Sequence, residues 1–219
     1  RQMCIRDRLK AVFYQGVPFG VEQVFANGGN LIMQTYMVQL GTASIAANAI
    51  AMSMLGLFYA APSASALLAI TVVGQCIGAG NIQQARKYGI RLVQTGIVLT
   101  VAAILLLLPV SPLMLSWYVP KAETTRLVWH VLFIGLIFMP VFWPLSNTMP
   151  NTLRAAGDAV FTSVVSLACM WGIRVGIGYL LTIPLGLGIY GAWGAMVLEW
   201  VVRSAVFTWR FQKRKCWGQ

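Results

Sequence analysis

Acid is scarce in this chain. Five Asp and Glu stand against sixteen Lys and Arg in 219 residues, with a single histidine, His130. The five acids, Asp7, Glu22, Glu123, Asp158 and Glu199, are scattered. Clustered aspartates that could hold a Mg²⁺–diphosphate are therefore missing, and so is the HExxH of a membrane metalloprotease. Enzyme activity is not expected. Cys4, Cys76, Cys169 and Cys216 lie far apart with no CxxC pair, so neither zinc ligation nor a disulfide frame is indicated. Gly78, Gly80 and Asn81 lack the preceding strand and fuller glycine fingerprint of a nucleotide loop, and read as a tight turn between helices. No cofactor and no metal are expected. Charge of any sign is thin: 10% of residues are charged and 58% are hydrophobic. That is not the composition of a soluble domain.

What is present is a series of long apolar runs. A helix of ~20 apolar residues crosses the ~30 Å hydrocarbon core of a bilayer. Six spans can be read, approximately 17–40, 44–77, 89–108, 125–149, 160–183 and 191–211. The second is long and contains Pro62, which predicts a kink or a strong tilt. No internal repeat is visible among them.

The basic residues fall in alternate gaps. Arg1, Arg6, Arg8 and Lys10 precede the first span; Arg86, Lys87 and Arg91 follow the second; Arg154 follows the fourth; Arg210, Lys213, Arg214 and Lys215 close the chain. The opposite gaps hold only Lys121 and Arg126. Basic residues collect on the cytoplasmic side, so both termini are expected there, in a multi-pass protein of the cytoplasmic (inner) membrane. The net charge of +11 complements anionic lipid headgroups. Without a basic stripe interleaved with exposed aromatics, nucleic acid is not an expected partner. Trp117, Tyr118 and Trp129 suit one interfacial belt, Trp209 and Trp217 the other.

Within the spans, polar residues are the informative ones. Gln23, Asn27, Asn30 and Gln34 recur at helical spacing on one face of the first span. They either line a cavity or hydrogen-bond between helices, and four in register favours the cavity. Asn48, Tyr59, Trp143 and Asn147 are further cavity candidates, and Asn147 stands between Pro144 and Pro150, where backbone carbonyls are freed. Arg174 and Glu199 fall near mid-membrane on consecutive helices and are predicted to pair, either as a packing staple or as part of coupling. His130 sits just inside the fourth span, as a packed interfacial residue or a proton shuttle.

The run GVPFGVEQVFANGGNLIMQ, then LGTASIAANAIAMSM, VVGQCIGAGNIQQARKYG, NTLRAAGDAVFTSVVSLACMWGIRVGIGYLL and LGLGIYGAWGAMVLEWVVRSAVFTWRF, appear in one order. In that order the chain resembles the second half of a multidrug and toxic compound extrusion (MATE) transporter, from Lys10 to Phe211. The resemblance implies an all-α membrane fold: six transmembrane helices forming one bundle of a twelve-helix transporter, with the N-terminal six-helix half missing. It implies efflux of small organic or drug-like solutes in exchange for H⁺ or Na⁺, with membrane lipid as the surroundings. Lipid or polysaccharide flippases of the same superfamily are the alternative. Some branches of the family place cation-binding acids in the first and fourth helices of this bundle. Here Glu22 stands nearer the end of its helix, as the candidate coupling acid, and Trp143 occupies the region of the second. Residues 1–8, RQMCIRDR, resemble a translated adapter and are expected to be foreign. Residues 9–212 form the bundle and 213–219 a basic tail.

Overall fold

The computed structural model describes Met3–Tyr118 and Ala122–Lys213. Lys121, Arg214, Lys215, Cys216 and Trp217, with the first two residues, lie outside the described residues, as do the side chains of Cys4, Arg6, Asp7, Arg8 and Lys10. The described residues form eight α-helices: α1 (Met3–Gln39), α2 (Thr42–Gly78), α3 (Ile82–Leu107), α4 (Ser111–Trp117), α5 (Ala122–Ala155), α6 (Ala159–Cys169), α7 (Gly178–Thr182) and α8 (Gly188–Gln212). A π-helical segment, Met170–Ile177, joins α6 to α7 into one continuous span. No strand occurs among the described residues.

The apolar runs account for the long helices. With no water in hydrocarbon to satisfy backbone N–H and C=O groups, each span closes its own hydrogen bonds. α2, α3, α5 and the α6–α7 span are long and apolar enough to cross a membrane. α1 and α8 are long enough but more polar, because of the amide row with Glu22 in one and Glu199 with Arg203 in the other. α2 continues unbroken through Pro62 for 37 residues, a length of about 55 Å at 1.5 Å per residue. Short turns join the passes. Asn81 caps α3 by accepting from the Gln84 N–H at 3.1 Å, and Gly80, at φ +75°, supplies the left-handed step before it.

α2, α5 and α8 form the centre of the bundle, with α3 packed on α2 and α5. Ala47, Ala51, Met54, Leu55 and Phe58 of α2 interlock with Val128, Val131, Leu132 and Met139 of α5 and with Trp193 of α8. A second cluster, toward the end of α8, gathers Val73, Ala85, Val93, Leu153, Phe207 and Phe211. Small residues allow close approach, as packing without a hydrophobic driving force requires. A Cβ at Gly191 would stand 2.7 Å from the Leu181 carbonyl carbon, so the α7–α8 contact depends on its absence.

α1 is the outlying helix. It leans on α6 and the π-helical segment and more lightly on α2. Among its described side chains Glu22, Gly29 and Met37 are buried, whereas Gln23, Asn27, Asn30 and Gln34 are exposed. The end of the bundle at which α8 finishes is rich in arginine over aromatic rings: Arg154 lies 4.8 Å from the Phe19 centroid and Arg210 4.6 Å from that of Phe161. Arg210 also bonds Asp158 at 2.7 Å. These contacts tie α1 to α5 and α6 to α8 at that end.

Candidate functional site

α1, α2, α5, α8 and the π-helical segment surround one cavity of about 640 Å³. Gln23, Asn30 and Gln34 line it from α1, Asn48 and Tyr59 from α2, and Trp143 and Asn147 from α5. Asn27, expected with them, is not among the lining residues. The reason is angular. At 100° per residue, positions 23, 30 and 34 share a sector of about 40°, and position 27 falls about 20° beyond its edge. The remaining wall is made by Met33, Met37, Met52 and Leu55, by Ala192, Trp193, Met196 and Trp200, and by Arg174, Glu199 and Arg203.

Aromatic and amide groups are held firmly there. The Tyr59 and Trp143 rings stack with centroids 5.4 Å apart and planes at 11°. The Trp193 indole N–H donates to the Asn48 Oδ1 at 3.0 Å, so this buried ring is satisfied and Asn48 is fixed. Asn147 donates from its side chain to the Trp143 carbonyl at 2.9 Å. Thioethers add deformable apolar surface between them.

The charged wall has three members. Glu199, 2% exposed, accepts from the Arg174 Nη1 at 3.4 Å through Oε2 and from the Arg203 Nη1 at 3.2 Å through Oε1. Arg203, one helical turn after Glu199, also donates to the Ser146 carbonyl at 3.4 Å and the Ser166 hydroxyl at 3.3 Å. That carbonyl is free because Pro150, four residues on, has no N–H to offer it. Sequence reasoning paired Arg174 with Glu199 and overlooked Arg203. The i, i+4 spacing from Glu199 was the available signal. Arg174 reaches the cavity from the π-helical segment.

A smaller cavity of about 110 Å³ adjoins the first, sharing Asn30, Arg174, Glu199 and Arg203 and ending at Glu22. Glu22 is 6% exposed, and Arg154 donates to both of its oxygens through Nη2, at 2.8 and 2.6 Å. By sequence Arg154 falls in the basic gap after the fourth span. In the structure it lies in the last turn of α5 and is held by Glu22 and by Asn151, whose own amide donates to the Ala66 carbonyl at 2.9 Å. Its partner is 132 residues distant in sequence, too far for spacing to disclose.

Other sequence candidates lie elsewhere. His130 contacts the Tyr190 hydroxyl at 3.4 Å, away from the cavity lining. Cys76 and Cys169 are free thiols. Among the described residues no three His, Cys, Asp or Glu side chains converge to hold a metal ion.

Comparison with known proteins gives these contacts a setting. A protein-family model described as MatE matches residues 18–180. The chain is 24% identical over 204 residues to "Probable multidrug resistance protein NorM" of Halalkalibacterium halodurans, covering 93% of this chain and 44% of that protein. With the protein of the same description from Deinococcus radiodurans it shares 26% over 215 residues, 95% of this chain and 47% of the relative. Over 64 residues, 29% of this chain and 14% of the relative, it is 39% identical to "Uncharacterized transporter YisQ" of Bacillus subtilis. Among solved structures, a MOP superfamily transporter from Pyrococcus furiosus superposes with a TM-score of 0.86 at 21% identity, over 95% of this chain and 46% of that one. An outward-facing MATE family multidrug resistance transporter gives 0.85 at 19% identity, over 94% and 45%. The chain thus spans about half the length of the curated relatives it matches. At these identities the structural likeness speaks for the fold.

Proposed function

The chain belongs to the MatE family, and we propose that it forms one six-helix half of a secondary efflux transporter for organic, drug-like solutes. The observation that carries this reading is the cavity of about 640 Å³, within the ~300–1,000 Å³ range of drug-sized sites. Its lining is suited to varied guests. The Tyr59–Trp143 stack offers a flat face, methionines adapt their shape, and the Gln23, Asn30 and Gln34 amides both donate and accept. A lipid or polysaccharide flippase, expected to present mainly arginine, is less well matched by this mixed wall.

In this proposal the basic end is the cytoplasmic side, by the excess of Arg and Lys, and both termini lie there. The exposed polar face of α1 then turns toward the second six-helix half. The exchanged cation is H⁺ or Na⁺. Glu22 is the candidate coupling acid within this half, and its carboxylate joins α1 to α5 through Arg154. Na⁺ asks for several converging oxygens, and the Glu22 oxygens are already occupied by a guanidinium.

The reading is tested with the complete transporter in efflux-deficient cells, measuring accumulation of a fluorescent aromatic cation at varied pH and Na⁺. Reduced accumulation that a protonophore reverses is expected. Equal accumulation with and without the protein would overturn the efflux reading.

A further inference from the structure

We propose that Arg174 and Arg203 form an anion subsite in the cavity wall, which takes the carboxylate of an aromatic amphiphile. The inference rests on the cavity being a solute site, as read above, and adds the charge of the solute. Three observations support it.

The first is a charge imbalance. Arg174 and Arg203 share one carboxylate, Glu199, at 3.4 and 3.2 Å. The next acid along the connected cavities, Glu22, is already engaged by Arg154 at 2.6 Å. Five charged groups in this region therefore leave one positive charge uncompensated. An unbalanced charge inside a membrane span is costly and draws a counter-charge.

The second is donor capacity. Arg203 is held by Glu199, Ser146 and Ser166, yet its Nε is buried without a partner. Arg174 makes one hydrogen bond, to Glu199, among the described residues. A guanidinium presents five N–H donors in a planar fork suited to an oxyanion. Most of that fork on Arg174 is unspent, and Arg174 lines both cavities.

The third is what shares the space. The stacked Tyr59 and Trp143 line the same cavity as the two arginines. One solute can therefore rest a ring on the aromatic face and direct an acid group to the arginines. No acid other than Glu199 lines the larger cavity, so an ammonium group meets no unpaired carboxylate there.

The test uses the complete transporter in lipid nanodiscs and two fluorescent probes of matched shape, 1-pyrenebutyrate and 1-pyrenebutylammonium. Binding is read by energy transfer from tryptophan, without energised transport. Tighter binding of the carboxylate is expected. Arg174→Gln should weaken it by about tenfold or more, the loss of a charge-assisted bond pair, while leaving the ammonium probe unchanged or tighter. Glu199→Gln, which raises the local positive charge, should tighten the carboxylate, a direction that simple damage to the fold would not give. Arg174→Lys, keeping charge without the fork, should recover part of the affinity.

Equal effects of Arg174→Gln on both probes would overturn the proposal, as would a preference for the ammonium. Displacement of pyrenebutyrate by phosphatidylglycerol in the disc would assign the subsite to lipid phosphate and overturn the solute reading. The two levels separate cleanly. Efflux of aromatic cations without carboxylate binding removes this subsite alone, and carboxylate binding without efflux removes the transport reading alone.

Discussion

The Glu22–Arg154 pair and the Glu199–Arg174–Arg203 cluster are built from the same chemistry and differ in stoichiometry. The first is one acid to one base, with contacts of 2.6 and 2.8 Å, closing α1 onto α5 at the basic end. The second is one acid to two bases, with contacts of 3.2 and 3.4 Å, beside an open cavity. A balanced, short pair consumes its own charge and acts as a fastener. An unbalanced, longer one retains charge for something else.

Three sets of substitutions would break or sharpen that contrast. The largest effect is expected for Arg154→Gln, which strands the Glu22 carboxylate in a buried site. Removing one partner of a buried pair costs about 3–5 kcal/mol, so the purified transporter should melt at much lower temperature. Adding Glu22→Gln should recover most of the loss, and a double variant as unstable as the single would show that the pair is not the fastener. A middle effect is expected at the cluster. Reversing Arg174→Glu alone, or Glu199→Arg alone, should reduce folded yield by size-exclusion chromatography. The double reversal should recover only part of it, because an arginine at 199 would face Arg203 one turn away, and like charges at that spacing repel. Full recovery would mean that Arg203 has no share in the cluster. The smallest effect belongs to Ser166→Ala. It removes one of several acceptors of Arg203 and should cost ~1 kcal/mol or less in thermal unfolding. A loss as large as that of Arg154→Gln would place Ser166 in the fastener class.

The sequence made the passes and the cavity face legible for a plain physical reason. Hydrocarbon admits few alternatives to long apolar helices, and polar residues within them must turn toward one another or toward water. Periodicity therefore put Gln23, Asn27, Asn30 and Gln34 on one face of α1. What could not be read depends on fractions of a turn or on distant partners. Asn27 falls just off the sector. α4, seven residues opened by Ser111 and Pro112, is too short for a periodicity argument. The π-helical segment that carries Arg174 was not anticipated. Arg154 counts in the sequence only as a basic residue of a gap, because nothing local marks an arginine that reaches across to a helix 132 residues away.

Pro150 touches no solute in any of these readings, yet Arg203 uses what it leaves behind. By withholding an N–H it turns the Ser146 carbonyl from a rung of α5 into an anchorage for a neighbouring helix. The site is thus partly written as a missing atom. Anyone transplanting this cavity into another scaffold would have to carry that proline along with the visible lining. Otherwise the restored rung would reclaim the carbonyl, and the guanidinium would swing to find another acceptor.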